Sequence, residues 1–302
     1  MKRGLNVLSL FDGMSGGRIA LDRLGIPVDN YFACEIDKYA MQIANKNYPY
    51  TVQLGSVTEL DATGLLPIDL FIGGSPCQDF SYAKTDGTGI EGERSGLFWE
   101  YVRLLNEVKE KNPDVLFLLE NVPMKQEWQD ILTKALGVEP IEINSNLVSA
   151  QNRRRLFWTN IPDVTLPEDK EIYLKDILLE EPFHLFTDER IENSKVLTKN
   201  YVKWDISQKG YYSQQDRAYY KDGKMCCIPK SQVKSKTSVV EGDGVYRRLS
   251  PVEIERLQTV PDDYTSGVSD TQRYMMLGNG WTIDVIAHIF SFIPIKDLVD
   301  IN

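Results

Sequence analysis

The chain has few of the residues from which disulfide frameworks and metal sites are built. Its 302 residues include four cysteines and two histidines, and the cysteines are too scattered to stabilise a small fold. This scarcity indicates a reducing compartment and argues against a structural metal. The neighbours Cys226 and Cys227 suggest a redox pair, but adjacent cysteines rarely reach disulfide geometry. Two small side chains on a strand are therefore the favoured interpretation.

Long apolar runs are also missing. No stretch approaches the roughly 20 apolar residues that cross a bilayer, and the first six residues lack the apolar core of a signal peptide. These absences predict a cytoplasmic protein without a membrane partner. Because 42% of the residues are hydrophobic, the chain can bury the core of one large domain that carries a smaller one.

Net negative charge at first sight disfavours a polyanion partner. The chain carries a net charge of −10, whereas phosphate contacts need Lys and Arg. Residues 182–249, however, hold thirteen Lys and Arg against eight Asp and Glu, so this stretch carries +5 and the remainder −15. A basic segment in an acidic body is typical of nucleic-acid contact. An ordinary solvated surface has the same pattern, so the charge alone leaves both interpretations open.

The first half of the chain alternates short apolar runs with amphipathic stretches. This pattern over residues 6–160 predicts an α/β fold in which a parallel sheet is wound with helices. The predicted strands are 6–10, 30–34, 70–72, 115–119, 141–146 and 155–158, and the predicted helices are 18–24, 38–47, 97–111 and 127–136.

From residue 162 the alternation gives way to short aromatic and Lys-rich pieces, which indicate a separate smaller region. Regular structure resumes at Ser250, where Glu253 has capping-box spacing and Pro251 suits the first helical position. A last helix is expected over 283–292. The sequence thus predicts a core that is interrupted by an inserted module and completed by the C-terminal piece.

A glycine-containing turn follows the first predicted strand. The strand leads into Phe11-Asp-Gly-Met-Ser-Gly16, and the next strand ends in Cys34-Glu35. Glycines in such a turn let backbone amides approach a ligand, and an acid at the neighbouring strand end can hold ribose hydroxyls. The spacing favours a nucleotide-like cofactor, with a purely structural turn as the alternative. It is not the G-x-G-x-x-G dinucleotide pattern, which disfavours a hydride-transfer enzyme.

Two neighbouring strands are predicted to end in a thiol and a carboxyl. Gly73-Gly-Ser-Pro-Cys77 ends one apolar run, and another runs directly into Glu120-Asn121-Val122. Because strand ends in an open α/β sheet share one crevice, Cys77 and Glu120 are expected to meet there as nucleophile and acid. An inert buried thiol is the alternative for Cys77. The glycine-rich stretch 82–96 predicts a lid, with a passive surface loop as its alternative.

Gln151-Asn-Arg-Arg-Arg155 leads three arginines into an apolar strand. Alternate residues of a strand share a face, so Gln151, Arg153 and Arg155 are expected to point together towards one site. Such a row can hold a base carbonyl, a phosphate or a catalytic carboxylate. A solvated sheet edge is the alternative interpretation.

Taken together, these motifs resemble the DNA cytosine-5 methyltransferase family. The matching pieces occur in the family's usual order and cover most of the chain outside the basic insert. They are Phe11-Asp-Gly-Met-Ser-Gly16, Glu35, Gly74-Ser-Pro-Cys-Gln78, Glu120-Asn121-Val122, Gln151 with Arg153 and Arg155, Arg248-Leu-Ser-Pro251 with Arg256-Leu-Gln258, and Gly278-Asn279. The form Gly-Gly-Ser-Pro-Cys is similar to bacterial and phage members and to the de novo branch.

The resemblance implies a Rossmann-like S-adenosylmethionine-dependent methyltransferase sheet with a small inserted target-recognition domain. Residues 1–161 would form the first part of the catalytic and cofactor-binding domain, 162–246 the target-recognition domain, and 247–302 the part that completes the catalytic domain. The implied partner is double-stranded DNA, on which the chain would act as a monomer in the nucleoid-associated cytoplasm of a bacterial or phage-infected cell. A cognate restriction endonuclease is a further candidate partner.

The resemblance also implies roles for single residues. Cys77 would attack C6 of a flipped cytosine, Glu120 would hydrogen-bond N3, Arg155 would support the pyrimidine carbonyl, and Arg153 the neighbouring carboxylate or backbone. C5 would then take the methyl group of S-adenosyl-L-methionine, which leaves S-adenosyl-L-homocysteine. No metal is implied. The implied cofactor-binding residues are Phe11, Asp12, Gly13, Met14, Ser15, Gly16, Glu35, Ile36, Ser56, Pro76, Leu97, Asn279 and Trp281.

Three of these positions depart from the family's pattern. Ser56 stands where an acid often contacts the adenine amino group, Ile36 where an aromatic residue is frequent, and Gly280-Trp281 where a small pair is commoner. The alternatives to a DNA enzyme are a transfer-RNA cytosine-5 methyltransferase, a catalytically inactive DNA-binding paralogue and a nicotinamide oxidoreductase. The stretch after Cys77 is more similar to the DNA enzymes, and the intact Cys77 and Glu120 disfavour an inactive paralogue.

Overall fold

The computed structural model describes residues 3–76, 96–180, 183–187, 201–203, 217–228, 238–242 and 244–295. The chain divides into two compact units, each of which is described by itself. The first unit comprises Met1–Ile143, Arg154–Leu166 and Val285–Asn302, and the second unit comprises Asn144–Arg153 and Pro167–Asp284. The domain boundaries expected from the sequence, at residues 161 and 246, remain a prediction.

The described residues contain short helices and strands in an order that starts with regular α/β alternation. The strands are β1 (Leu5–Leu10), β2 (Val28–Cys34), β3 (Val52–Gln53), β4 (Leu70–Gly74), β5 (Leu116–Asn121), β6 (Pro140–Asn144), β7 (Gln151–Asn152), β8 (Arg154–Thr159), β9 (Tyr201–Lys203), β10 (Arg217–Tyr219), β11 (Met225–Cys226), β12 (Ser238–Gly242) and β13 (Val245–Arg248). The helices are α1 (Gly16–Arg23), α2 (Lys38–Asn47), α3 (Gly96–Lys111), α4 (Gln126–Leu136), α5 (Leu174–Ile177), α6 (Pro251–Leu257), α7 (Asp270–Asn279) and α8 (Ile283–Phe290).

The first unit is built on a seven-stranded sheet with the order β3-β2-β1-β4-β5-β8-β6. β1 pairs in parallel with β2 and with β4, and β4 pairs in parallel with β5. All six residues of β1 are buried, as expected for a central strand that is covered on both faces. The predicted α/β fold is therefore confirmed.

The direction of β8 differs from the parallel sheet that the sequence pattern predicts. β8 runs antiparallel to β5, with Leu119 opposite Trp158. Only residues 145–153 separate β8 from β6, its neighbour in the sheet. A parallel neighbour needs a crossover of a dozen or more residues, so this short connection favours a reversed strand.

Helix α3 covers one face of this sheet because its apolar residues recur with helical spacing. Phe98, Tyr101, Leu104, Leu105 and Val108 are all buried, which confirms the amphipathic helix predicted over 97–111. Their side chains join the apolar cluster beneath the strands. The observed elements that were not predicted are short or have a weak apolar face; they are β3, β9, β10, β12, β13, α5 and α7.

Gly73, near the end of β4, makes a close approach possible in this core. A Cβ atom built at this position would lie 3.1 Å from the carbonyl oxygen of Leu10 and 3.1 Å from the ring of Tyr101. The Tyr101 ring is fully buried and packs edge to face on Phe71 at 4.8 Å between centroids. A larger residue at Gly73 would displace α3, which carries Tyr101, or β4 itself.

The second unit contains a four-stranded sheet with the order β13-β12-β10-β9 and a two-stranded pair of β11 and β7. The predicted capping box at the start of α6 is confirmed, because the Ser250 hydroxyl accepts from the Glu253 amide and the Glu253 carboxylate accepts from the Ser250 amide at 2.7 Å. The Glu253 carboxylate is also the partner of the buried Arg247 guanidinium at 2.8 Å.

Within the described part of the chain, we find no helix with both the length and the apolar character that a membrane crossing requires.

We predict that Gly73→Ala lowers the free energy of unfolding by about 1–3 kcal/mol, because the added methyl group overpacks the contact with Tyr101. Gly64→Ala is the matched control, since a Cβ there meets nothing within 4 Å. Urea unfolding of both variants measures the difference. Equal stability of the two variants would contradict the close approach.

Candidate functional site

Four parallel strands of the first unit end at the same edge of its sheet. Leu10 of β1 is in register with Cys34 of β2 and with Gly73 of β4, and Gly74 is in register with Glu120 of β5. The segments that follow these strands therefore start side by side. They are the turn 11–16, the segment at Glu35, residues 75–76 and the segment that begins at Glu120.

The turn after β1 is held in a conformation that few residues adopt. Phe11, Gly13 and Ser15 have positive φ angles of 55°, 60° and 65°, a region that is costly for residues other than glycine. Two hydrogen bonds to the neighbouring strand end stabilise it. The Asp12 amide donates to the Cys34 carbonyl at 3.0 Å, and the Gly13 amide donates to the Glu35 carboxylate at 2.7 Å.

The Glu35 carboxylate is fixed by three backbone amides. One oxygen accepts from Gly13, and the other accepts from Ile36 at 2.7 Å and from Asp37 at 2.8 Å. The side chain is half-buried. Because an ionised carboxylate has about four acceptor positions, the Glu35 oxygens keep the capacity to accept from a ligand hydroxyl. This arrangement fits a residue that holds ribose.

Asp12 lies buried under the turn and accepts hydroxyl hydrogen bonds from Ser15 at 2.7 Å and from Tyr31 at 2.8 Å. The Ser9 side chain is a further hydrogen-bond partner. Burial raises the pKa of Asp12 to about 6, and the negative charge of Glu35 adds to this, although the hydroxyl hydrogen bonds oppose it. Burial, together with Asp12 and Glu35, also raises the pKa of Cys34 to about 12, so this thiol stays protonated at neutral pH.

Glu120 forms an ion pair with Arg155. The Nε of Arg155 lies 2.7 Å from Oε1 of Glu120, and the exposed fractions of the two side chains are 16% and 12%. The reversed β8 explains the contact. Glu120 lies opposite Phe157, and Arg155 is two residues further on the same face, within diagonal reach. An ion pair that is so largely shielded from water constrains the Glu120 carboxyl more than a surface pair would.

Asn121 connects the ends of β4 and β5. It is 1% exposed, and its amide nitrogen donates to the Ser75 hydroxyl at 3.0 Å. Its side-chain oxygen accepts from the Val122 amide at 2.8 Å. Asn121 thus fixes the chain two residues before Cys77. The predicted nucleophile itself lies outside the described residues.

The other predicted site residues of the first unit lie near these strand ends or in the core. Ile36 is 78% exposed directly after Glu35, and the Ser56 hydroxyl shares a 2.8 Å hydrogen bond with Thr58. Met14 is buried, and Leu97, in the first turn of α3, packs against the apolar cluster. Gly16 is the buried first residue of α1, and Pro76 is half-buried. The predicted lid lies outside the described residues except for Gly96, where α3 begins.

The arginine row that was expected on one strand face alternates in burial: Gln151 and Arg153 are buried and Arg155 is half-buried, whereas Asn152 and Arg154 are exposed. The strand is interrupted at Arg153, between β7 and β8, and the convergence of the three side chains on one site remains a prediction. Gln151 and Arg153 make their hydrogen bonds within the second unit, whereas Arg155 pairs with Glu120 in the first unit.

A buried polar network in the second unit surrounds the predicted cofactor residue Asn279. The Arg153 guanidinium donates to the carbonyls of Gly278 and Gly280, at 3.2 and 2.8 Å. The Gln258 amide donates to the Leu277 carbonyl at 2.6 Å. Asn279 itself is exposed and Trp281 is half-buried. The turn at 277–280 is therefore fixed through its backbone, while the Asn279 side chain faces outwards.

Sequence reasoning missed several residues that support these groups. Tyr31, Ser75 and Gln258 were given no individual role, because each has a hydrogen-bond partner 19 to 46 residues away in sequence. The signal for Ser75 and Gln258 was their place inside two of the matched motifs. Among the described residues, no group of three or more His, Cys, Asp and Glu side chains could bind a metal ion.

A family model and two relatives match most of the chain. The model of the family described as C-5 cytosine-specific DNA methylase matches residues 5–134 and 143–294. The type II methyltransferase M.HhaI of Haemophilus parahaemolyticus is 27% identical over 314 residues, which cover 95% of this chain and 93% of that protein. The type II methyltransferase M.NlaX of Neisseria lactamica is also 27% identical, over 94% of each chain.

Solved structures share the fold. The Entamoeba histolytica methyltransferase EhMeth has a TM-score of 0.68 at 18% identity and covers 98% of this chain and 99% of its own. The S. pombe Dnmt2 methyltransferase has a TM-score of 0.63 at 18% identity and covers 95% of this chain and 97% of its own. At this identity the likeness concerns the fold alone.

We predict that Asp12→Asn removes a pH-dependent cost of folding. The pKa of Asp12 is higher in the folded protein, about 6 against 3.8, so its contribution to stability is complete below pH 3.8 and is lost as the pH rises through 6. Relative to Asp12→Asn, the wild-type protein should lose about 2 kcal/mol of unfolding free energy between pH 4 and pH 7. Urea unfolding across this range measures it, with the exposed Asp114→Asn as control. A difference that is independent of pH would contradict the buried carboxyl.

Proposed function

Because the chain belongs to the C-5 cytosine-specific DNA methylase family, we propose that it transfers the methyl group of S-adenosyl-L-methionine to C5 of a cytosine flipped out of duplex DNA. The reaction class follows from the family and from its type II methyltransferase relatives. One observation carries the assignment to this site: the Arg155–Glu120 pair lies beside the anchored segment that leads to Cys77.

The turn after β1 and Glu35 fit the proposed cofactor. S-adenosyl-L-methionine, when bound, supplies an electrophilic methyl group on a sulfonium sulfur, and S-adenosyl-L-homocysteine remains. The residues that would hold it are those implied by the resemblance, with Glu35 on the ribose hydroxyls and the Phe11 to Gly16 turn along the ligand. The open space around Gly13 and the fixed Glu35 carboxylate support this proposal.

Cys77 supplies the nucleophile in this proposal. Its thiolate forms a bond to C6 of the flipped cytosine, and the electrons of the C5–C6 double bond make C5 nucleophilic. C5 would then take the methyl group, and the bond between this methyl group and the sulfonium sulfur would break. Loss of the C5 proton to a base and cleavage of the sulfur–C6 bond restore the aromatic ring and the Cys77 thiolate.

Glu120 and Arg155 act on the base in this proposal. A hydrogen bond between the Glu120 carboxyl and N3 stabilises the charge that the addition of Cys77 places on the ring. Arg155 supports the pyrimidine carbonyl and orients Glu120 through the 2.7 Å contact. Arg153 has a different part, since its contacts with the Gly278 and Gly280 carbonyls support the turn that presents Asn279.

Residues 162–246 are the proposed target-recognition region. Of the thirteen basic residues around it, the described ones include Arg247, which is buried against Glu253, and Lys221 and Lys224, which contact Glu241 and the Asn146 carbonyl. Several others lie outside the described residues, namely Arg190, Lys195, Lys199, Lys209, Lys230, Lys234 and Lys236. We assign the phosphate contacts to this second group. Action as a monomer and a cognate restriction endonuclease belong to the same proposal.

The function is tested by the DNA of cells that express the chain. Wild-type protein should yield 5-methylcytosine at one defined sequence context, seen by bisulfite sequencing and by mass spectrometry of digested DNA. Cys77→Ser should lower the rate by roughly 10⁴-fold or more, as for other covalent nucleophiles, and Glu120→Gln should lower it without changing its sequence context. Cys226→Ala, in the second unit, is the matched control. Methyl groups on an exocyclic nitrogen, or a Cys77→Ser protein of undiminished rate, would contradict the proposal.

The basic insert is tested by the salt dependence of duplex binding. Lys234→Gln with Lys236→Gln should weaken binding at low salt and reduce the slope of log affinity against log salt by about 0.9 for each phosphate that is no longer neutralised. Lys46→Gln with Lys134→Gln removes the same charge from the first unit and should leave the slope unchanged. An equal effect of the two pairs would mean that net charge, and no local contact, governs binding.

A further inference from the structure

Arg153 links a cysteine of the inserted region to the Asn279 turn. The guanidinium is 3% exposed. One of its terminal nitrogens donates to the Gly278 and Gly280 carbonyls, and the other donates to Sγ of Cys227 at 3.0 Å and to the Ile228 carbonyl at 3.4 Å. The Cys227 contact is the shorter of the two on its side.

The strand pairing explains why Cys227 reaches this position. β11 and β7 are parallel, with Met225 in register with Gln151 and Cys226 with Asn152. Cys227 directly follows β11 and Arg153 directly follows β7. The same pairing therefore brings the Cys227 thiol and the Arg153 guanidinium together. Cys226 is half-buried, as Cys227 is, and burial raises the pKa of the Cys226 thiol. The two adjacent cysteines have different partners, since Cys226 hydrogen-bonds with Tyr219 whereas Cys227 accepts from Arg153.

A guanidinium is a planar, rigid fork, so a contact on one of its nitrogens restricts the position of the other. A buried guanidinium that loses an acceptor must move or remain incompletely hydrogen-bonded, which costs free energy. Any such movement would also alter the hydrogen bonds from Arg153 to the Gly278 and Gly280 carbonyls. These two carbonyls flank the peptide units that set the direction of the Asn279 side chain.

We propose that Cys227 is a positioning residue for the cofactor site. By accepting a hydrogen bond from Arg153, it fixes the guanidinium that holds the turn on both sides of Asn279. The inference rests on the proposed function in one respect, namely that Asn279 contacts S-adenosyl-L-methionine. It adds a residue of the inserted region to the group that determines cofactor affinity.

Binding of S-adenosyl-L-homocysteine to the full chain, measured by calorimetry, tests this role. Cys227→Val keeps the bulk of the side chain but removes the acceptor, and it should weaken binding roughly threefold to tenfold, as expected when one hydrogen bond to a charged group is removed. Cys227→Ser keeps an acceptor and should stay within about twofold of wild type. Cys226→Ala is the adjacent control and should bind as wild type does. With genomic DNA as substrate, Cys227→Val should raise the KM for S-adenosyl-L-methionine more than it changes kcat.

A double-mutant cycle separates positioning from a general loss of structure. If Cys227 acts through Asn279, the effect of Cys227→Val on affinity should largely disappear in an Asn279→Ala background. An effect of the same size in that background, or a loss with Cys227→Ser as large as with Cys227→Val, would overturn the inference. Thermal unfolding of each variant accompanies these titrations.

The Asn279→Ala single variant separates the role of Cys227 from the proposed contact of Asn279 with the cofactor. If Asn279→Ala binds S-adenosyl-L-homocysteine as wild type does, the cofactor role of Asn279 is wrong and the inference is wrong with it. If Asn279→Ala binds weakly while Cys227→Val binds normally, only the role of Cys227 is wrong. If the wild-type chain itself binds no S-adenosyl-L-homocysteine, both the proposed cofactor and the inference are overturned.

Discussion

The register between β4 and β5 is the constraint on which the rest of the site depends. It places Gly74 beside Glu120, so the segment that leads to the predicted nucleophile starts next to the carboxyl that is proposed to act on the base. Asn121 then fixes this segment through Ser75. A slip of one residue would turn Glu120 to the opposite face of the sheet, and the ion pair with Arg155 would break. The close packing of Gly73 on Tyr101 keeps β4 at the distance from α3 that this register requires.

Glu35, Glu120 and the turn at Asn279 each have at least one supporting partner that is distant in sequence. Glu35 is fixed by the turn amides, Arg155 reaches Glu120 from a reversed strand, and Arg153 fixes the turn at Asn279 through carbonyl groups. The contacts of Arg155 and Arg153 are largely shielded from water, where a missing partner costs the most free energy. Proposed catalytic and cofactor-binding groups that are so constrained lose little conformational entropy when a ligand arrives.

The sequence was sufficient to predict the main helices and strands of the first unit and the motif residues at the strand ends. Periodicity predicts α3 because its apolar residues recur on one face, and Ser250 with Glu253 marks the start of α6 by local chemistry. The reversal of β8 could not be predicted from its residues, since an apolar strand reads alike in both directions. The interruption at Arg153 is set by partners that periodicity does not show. Cys77 and the lid lie outside the described residues, and their roles remain predictions.

The most direct test of this account is covalent trapping on duplex DNA that contains 5-fluorocytosine in the methylated sequence context, with S-adenosyl-L-methionine present. The fluorine cannot leave as the C5 proton does, so the proposed covalent complex should persist under denaturing conditions. Mass spectrometry of the digested complex should then locate the nucleotide on the peptide that contains Cys77. A nucleotide bound to another residue, or full methylation of ordinary DNA with no trapped complex, would contradict the central claim that Cys77 beside Glu120 activates the cytosine.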